Sequence, residues 1–148
     1  ANGEEPLKYA KGAIADISAY MHYTSRGNVI DVEIPNDPGA QAAYENGKRH
    51  FFAKRGQLNM SCADCHVYNP GNKVRADILS HALGHVSHFP VYRSKWGGLG
   101  TLHRRYGGCN KQVRSKPFKP QSEEYRNLQY FHSYMSNGLE MNGPGARK

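Results

Sequence analysis

Two cysteines three positions apart, followed at once by a histidine, form the segment Cys62-Ala63-Asp64-Cys65-His66. Thiols at that spacing can each form a thioether to a vinyl group of a haem, and the adjacent imidazole then reaches the iron from the same side. One short turn must hold both bonds and the ligand together. Cys-x-x-Cys alone fits redox or zinc chemistry as well, but the histidine beside it is the signature of covalent haem attachment. Zinc needs further ligands, and with eight histidines in the chain it is the rival reading.

The third cysteine, Cys109, has no partner left for a structural disulfide. An odd cysteine in an exported protein points to a reactive thiol or a ligand. An iron held by His66 on one face leaves the other face to His81, His85, His88, His103, Met141 or Cys109. A methionine would make an ordinary high-potential electron carrier, but Met141 follows the last predicted helix and Met135 reads as core. A bis-histidine iron would draw on His81, His85 and His88, most of which read as surface or propionate-contacting groups. Cys109 follows Gly107-Gly108, read as a tight turn whose missing side chains allow a large cofactor to approach. It also follows Arg104-Arg105, whose positive charge lowers a thiol pKa. A ligand, a reactive thiol and a buried inert residue are all open for it at this point.

The elements that must position these residues are mainly helical. Leu7, Ile14, Ile17, Tyr20 and Met21 recur at helical spacing and predict a helix from Leu7 to about Ser25, closed by Gly27. Pro35 and Pro38 keep Val29 to Asp37 extended, as a linker or a strap. A second helix starts at Pro38, a favourable first-turn residue, and runs to about Lys54. It carries Ala43, Tyr44, Gly47, Phe51 and Phe52. A last helix follows Ser122, with Glu123 and Glu124 at the positive end of its dipole and Tyr125, Leu128, Phe131 and Met135 as its apolar stripe. Gly138 ends it. The stretch from Val67 to Gln121 is long for a loop, which wrapping around a cofactor would explain.

Twenty Lys and Arg against twelve Asp and Glu give a formal net charge of +8. Such a surface attracts anions and acidic partners. The basic residues are scattered, with no aromatic-interleaved motif, which speaks against nucleic acid. No apolar run is long enough to span a bilayer. The chain starts at Ala1 with no signal peptide, as expected of a processed or truncated N-terminus. Covalent haem is attached outside the cytoplasm in bacteria, so the expected location is periplasmic.

These pieces resemble the cytochrome c fold, in which a helix ahead of the Cys-x-x-Cys-His motif crosses a C-terminal helix at close contact. Gly47 would permit that approach, and Phe51 would pack against Leu128 or Phe131. A more specific resemblance rests on segments that occur in order. They are Ala43-Tyr44-Glu45-Asn46-Gly47-Lys48, Arg55-Gly56-Gln57-Leu58-Asn59, the haem motif and Phe89-Pro90-Val91-Tyr92-Arg93. Trp96-Gly97-Gly98-Leu99-Gly100, Arg104-Arg105, Cys109 and Val113-Arg114 follow. Over about residues 40 to 140 the chain is similar to the SoxA subunits of the SoxAX cytochromes of bacterial thiosulfate oxidation, in their C-terminal haem domain.

The resemblance implies one covalent haem c with His66 and Cys109 as axial ligands, Cys109 being the active-site sulfur and commonly a persulfide. Arg105 would lie beside it as the anion clamp, with Arg104 and Arg114 as weaker candidates and Arg93 the arginine best suited to a haem propionate. It implies oxidative coupling of thiosulfate to a cysteine of the SoxYZ carrier protein. A monohaem SoxX subunit would pack nearby, and electrons would pass to a small acceptor cytochrome. The alternative is a periplasmic electron-transfer cytochrome without sulfur-transfer activity. Many SoxA proteins carry an earlier domain with its own haem motif, whereas this chain has one motif. Residues 1–37, a helix and an extended linker, would be a remnant of that preceding domain, and residues 38–148 the cytochrome c domain.

Overall fold

The fold is built on the crossing of two helices, α2 (Pro38–Phe52) and α5 (Glu123–Met135). The structure, a computed structural model, describes residues 3–74 and 76–147. Asp37 caps α2, its carboxylate accepting the Ala40 N–H at 2.8 Å. At the crossing, a Cβ on Gly47 would collide with the Asn127 carbonyl of α5. The Phe51 and Phe131 rings pack 5.4 Å apart just beyond it. Phe51, Ala63, Leu102, Tyr106, Tyr125, Leu128 and Phe131 form the core, with Met135 packed against its edge. This mainly helical, cytochrome c-like arrangement is the one expected.

Two expectations need correction. The first helix, α1, spans Ala13–Thr24 and does not begin at Leu7. Gly12, at a φ of 72°, marks its start, and the residues before it strap onto the rest of the chain. Thr101 N–H donates to the Ala10 carbonyl at 3.2 Å, and the Tyr9 ring lies 4.8 Å from that of His103. The buried face of α1 is Ala15 and Ala19, while Ile17, Tyr20 and Met21 are exposed. Helical spacing was right, but the small residues, not the large ones, face inward.

The second correction concerns the supposed irregular stretch. It contains a full helix, α4 (Leu102–Gln112), and Cys109 lies inside it, not in a turn. Gly107 and Gly108 have low helix propensity. The buried stripe Leu102, His103, Tyr106 and Asn110, packed toward α5, overrides that preference. The rest is short pieces: the haem-motif helix α3 (Cys62–His66), a hairpin of β1 (Lys73–Val74) and β2 (Asp77–Ile78), and a small sheet. In that sheet β3 (Val91–Arg93) lies between β4 (Gly98–Gly100), antiparallel, and β5 (Gly145–Arg147), parallel. Among the described residues no helix is long and apolar enough to cross a membrane.

Candidate functional site

The motif helix α3 is held at both ends. Ser61 caps it in a reciprocal box: Ser61 Oγ accepts the Asp64 N–H at 3.0 Å, and Asp64 Oδ2 accepts the Ser61 N–H at 2.7 Å. These bonds also hold the Asp64 carboxyl below its ordinary range. At the other end, Ala82 N–H donates to the His66 carbonyl at 3.0 Å. His66 Nδ1–H donates to the Ser80 carbonyl at 2.7 Å. That bond fixes the tautomer and leaves Nε2 free to coordinate. Burial holds His66 below its usual pKa, which favours the neutral, ligating form.

The loop ahead of Cys62 is zipped onto the end of α4. Gln57 and Leu58 N–H groups donate to the Arg114 and Val113 carbonyls. Gly56, at φ 70°, passes so close that a Cβ there would strike the Val113 carbonyl. This tie sets Cys109 against the motif. Burial pushes the Cys62 thiol up to about 12, and the next contribution is the nearby Cys109; Cys65 is raised by the same two causes. All three cysteines are free and half-buried. Arg105 stands one helical turn before Cys109, and its charge depresses His66, His85 and Arg93. Cys62, Cys65, His66, Arg93, Arg105 and Cys109 therefore belong to one neighbourhood.

Arg93 is 7% exposed, and its Nε has no hydrogen-bond partner. Its guanidinium lies 5.3 Å from the Trp96 ring centroid, with that of Arg104 at 4.4 Å. Arg104 also donates to the Leu99 carbonyl at 3.3 Å, which commits it to structure. Arg114 is exposed beyond the end of α4, its φ at 57°. A buried, unpaired guanidinium nitrogen needs an anionic oxygen, and a haem propionate supplies one. Together with two thiols and a free Nε2, it makes the residues fit a haem. Among the described residues no group of three or more His, Cys, Asp or Glu side chains is placed to hold a metal ion.

No protein-family model matches the chain. It is 64% identical over its full length to the L-cysteine S-thiosulfotransferase subunit SoxA of Allochromatium vinosum, covering 53% of that protein. It is 57% identical, again over its full length, to the same subunit of Chlorobaculum tepidum, covering 51% of it. The crystal structure of SoxXA from P. pantotrophus superposes with a TM-score of 0.90 at 35% identity, over 99% of this chain and 54% of that one. The chain belongs to the SoxA family. It spans about half the length of the curated relatives it matches.

Within this SoxA-family chain two of the other candidate histidines have other partners. His103 Nδ1 accepts the Gln121 N–H at 3.0 Å. His88 Nδ1–H donates to the Gly84 carbonyl at 3.0 Å, and its Nε2 lies 3.3 Å from an Arg147 nitrogen. His81 is exposed. The Met141 backbone pairs with residues 27 and 28. Sequence reasoning missed Ser61 with Asp64, although Ser-x-x-Asp ahead of a short helix is a legible capping signal. It also missed Ser80 and the buried pair Tyr106–His132, whose phenol oxygen and Nδ1 are 2.7 Å apart. Those depend on contacts distant in sequence and carry no local signal.

Proposed function

We propose that this chain is a haem-bearing part of the SoxA subunit of a SoxAX-type L-cysteine S-thiosulfotransferase, and that Cys109 is its reactive sulfur. Cys62 and Cys65 would hold one haem c by thioethers, His66 and Cys109 would ligate its iron, and Arg93 would meet a propionate. The bound haem supplies a route for electrons out of the site. Thiosulfate and a cysteine of the SoxYZ carrier combine with loss of two electrons and one proton: RSH + S2O3(2−) gives RS–S–SO3(−). Arg105 offers a planar fork of donors to the oxyanion and stays charged at any working pH. Cys109, as thiolate or persulfide, exchanges at sulfur with the substrate. The uncompensated arginines draw the dianion in.

The partners that follow are a monohaem SoxX subunit, the SoxYZ carrier and a small acceptor cytochrome, and the location is the periplasm. Residues 1–37 are read as a helix and extended linker ahead of the cytochrome c domain, residues 38–148. The observation that supports this most is that Cys109 and Arg105 lie four residues apart on one face of α4, Cys109 beside Cys62 and Arg105 beside His66.

The test is Cys109→Ser in the protein assembled with its SoxX partner. Thiosulfate coupling to the carrier is expected to disappear, and the EPR spectrum to lose its thiolate signature. Coupling that survives with only a spectral change would leave an electron-transfer cytochrome. An intact mass equal to the bare polypeptide would remove the covalent haem itself.

A further inference from the structure

The segment from Ser80 to His85 encloses His66 from three sides. The Ser80 carbonyl accepts the His66 Nδ1–H at 2.7 Å. The Ala82 N–H donates to the His66 carbonyl at 3.0 Å. The His85 ring stands edge-on to the His66 ring, centroids 4.7 Å apart and planes at 84°. The same Ser80 that holds His66 through its carbonyl pairs through its hydroxyl with His85 Nε2 at 2.8 Å. One serine thus joins the two imidazoles.

The clamp is itself anchored. His85 N–H donates to the Ala82 carbonyl at 3.1 Å. Gly84 N–H donates at 3.1 Å to the hydroxyl of Ser136, which is wholly buried at the end of α5. His132 of α5 backs the His85 ring at 5.8 Å. Such a cage restricts rotation of the His66 ring about its Cβ–Cγ bond. It also holds the Nδ1–H aimed at a carbonyl, and a well-aimed bond there makes the coordinating nitrogen more basic.

We infer that Ser80 and His85 are positioning residues for His66, fixing the plane of its imidazole and tuning the iron that it ligates. This rests on the proposal that His66 is an axial ligand. It gives His85 a role as a prop beneath the ligand, where the sequence offered it as a ligand.

Loosening the clamp weakens the Nδ1–H bond, makes His66 a poorer donor and so favours ferrous over ferric iron. The size expected of a lost outer partner is about tenfold, equivalent to about 59 mV for a one-electron couple.

The experiment uses the holoprotein with covalent haem and compares His85→Phe, Ser80→Ala and His85→Gln by redox titration and ferric EPR. His85→Phe and Ser80→Ala are expected to raise the potential and shift the largest g value. His85→Gln, whose amide still reaches Ser80, should fall back toward the parent protein. Ser80→Ala removes only an exposed hydroxyl, so it answers even if His85→Phe loads no haem. Unchanged potential and g values in Ser80→Ala, and in His85→Phe where it loads haem, alongside a His66→Ala spectrum that does change, overturn the clamp and leave His66 as ligand. A His66→Ala spectrum identical to the parent overturns the ligand assignment and the clamp with it.

Discussion

Gly47 and Asn127 touch backbone to backbone: the Gly47 Cα sits where any Cβ would run into the Asn127 carbonyl. The obstacle is main chain of a helix and has no rotamer to yield. Gly47→Ala must push α2 away from α5 or strain both. Overpacking of this kind costs about 1–3 kcal/mol. The expected result is a lower Tm of the holoprotein with the haem spectrum unchanged in form, read by circular dichroism and Soret absorbance together.

Arg105 separates charge from geometry. Arg105→Lys keeps the cation but loses the planar fork that matches an oxyanion. Charge-assisted hydrogen bonds are worth about 1.5–3 kcal/mol each, so kcat/KM for thiosulfate should drop roughly tenfold or more. Arg105→Gln should lose more, and the gap between the two variants should narrow at high salt. Steady-state coupling assays with the carrier at two ionic strengths measure this.

Arg93 tests the propionate assignment. Its guanidinium is buried, and its Nε lacks a partner, while Trp96 holds the group in place by its ring face. Arg93→Leu removes a positive charge from beside the haem. The reduction potential is expected to fall, because the ferric state gains relative to the ferrous when a nearby cation is lost. Trp96→Leu, which keeps the charge but frees the side chain, should produce a smaller change in the same titration.

The helices and the haem motif were legible because each is a local signal. Pro38 after Asp37 begins α2, and the stripe Tyr125, Leu128, Phe131 marks α5. Gly47 could be singled out because the resemblance to the cytochrome c fold implies a close helix crossing, and Gly47 is the glycine in the interior of α2. What failed was local too. Two glycines before Cys109 argued for a turn, yet α4 continues through them, held by Leu102 and Tyr106 against distant residues of α5. The same limit hid Ser80, whose importance comes from a carbonyl that no side-chain pattern reports. On α1 the large apolar residues marked the helix but not its start or its buried face, since Ala15 and Ala19 permit a close approach that the larger Ile17, Tyr20 and Met21 would block.

The buried histidines predict acid lability. His103 is 2% exposed, and burial is the main cause that lowers its pKa from 6.5 to about 4. His132, likewise buried, is lowered to about 3. The unfolded chain takes up a proton on each near 6.5 while the folded chain keeps both neutral. Stability is therefore full above pH 6.5. It falls as pH drops below that value, and the contribution of His103 stops changing below about 4. Each such group contributes a slope of at most about 1.4 kcal/mol per pH unit. His103→Asn removes one titrating group, so its urea-unfolding free energy should depend less steeply on pH between 6 and 4.5 (about the middle of the window) than that of the parent. Taking the difference between the two proteins cancels protonation of His66 and the other shared groups. Parallel pH dependences would mean that His103 is protonated in the fold as readily as in the unfolded chain.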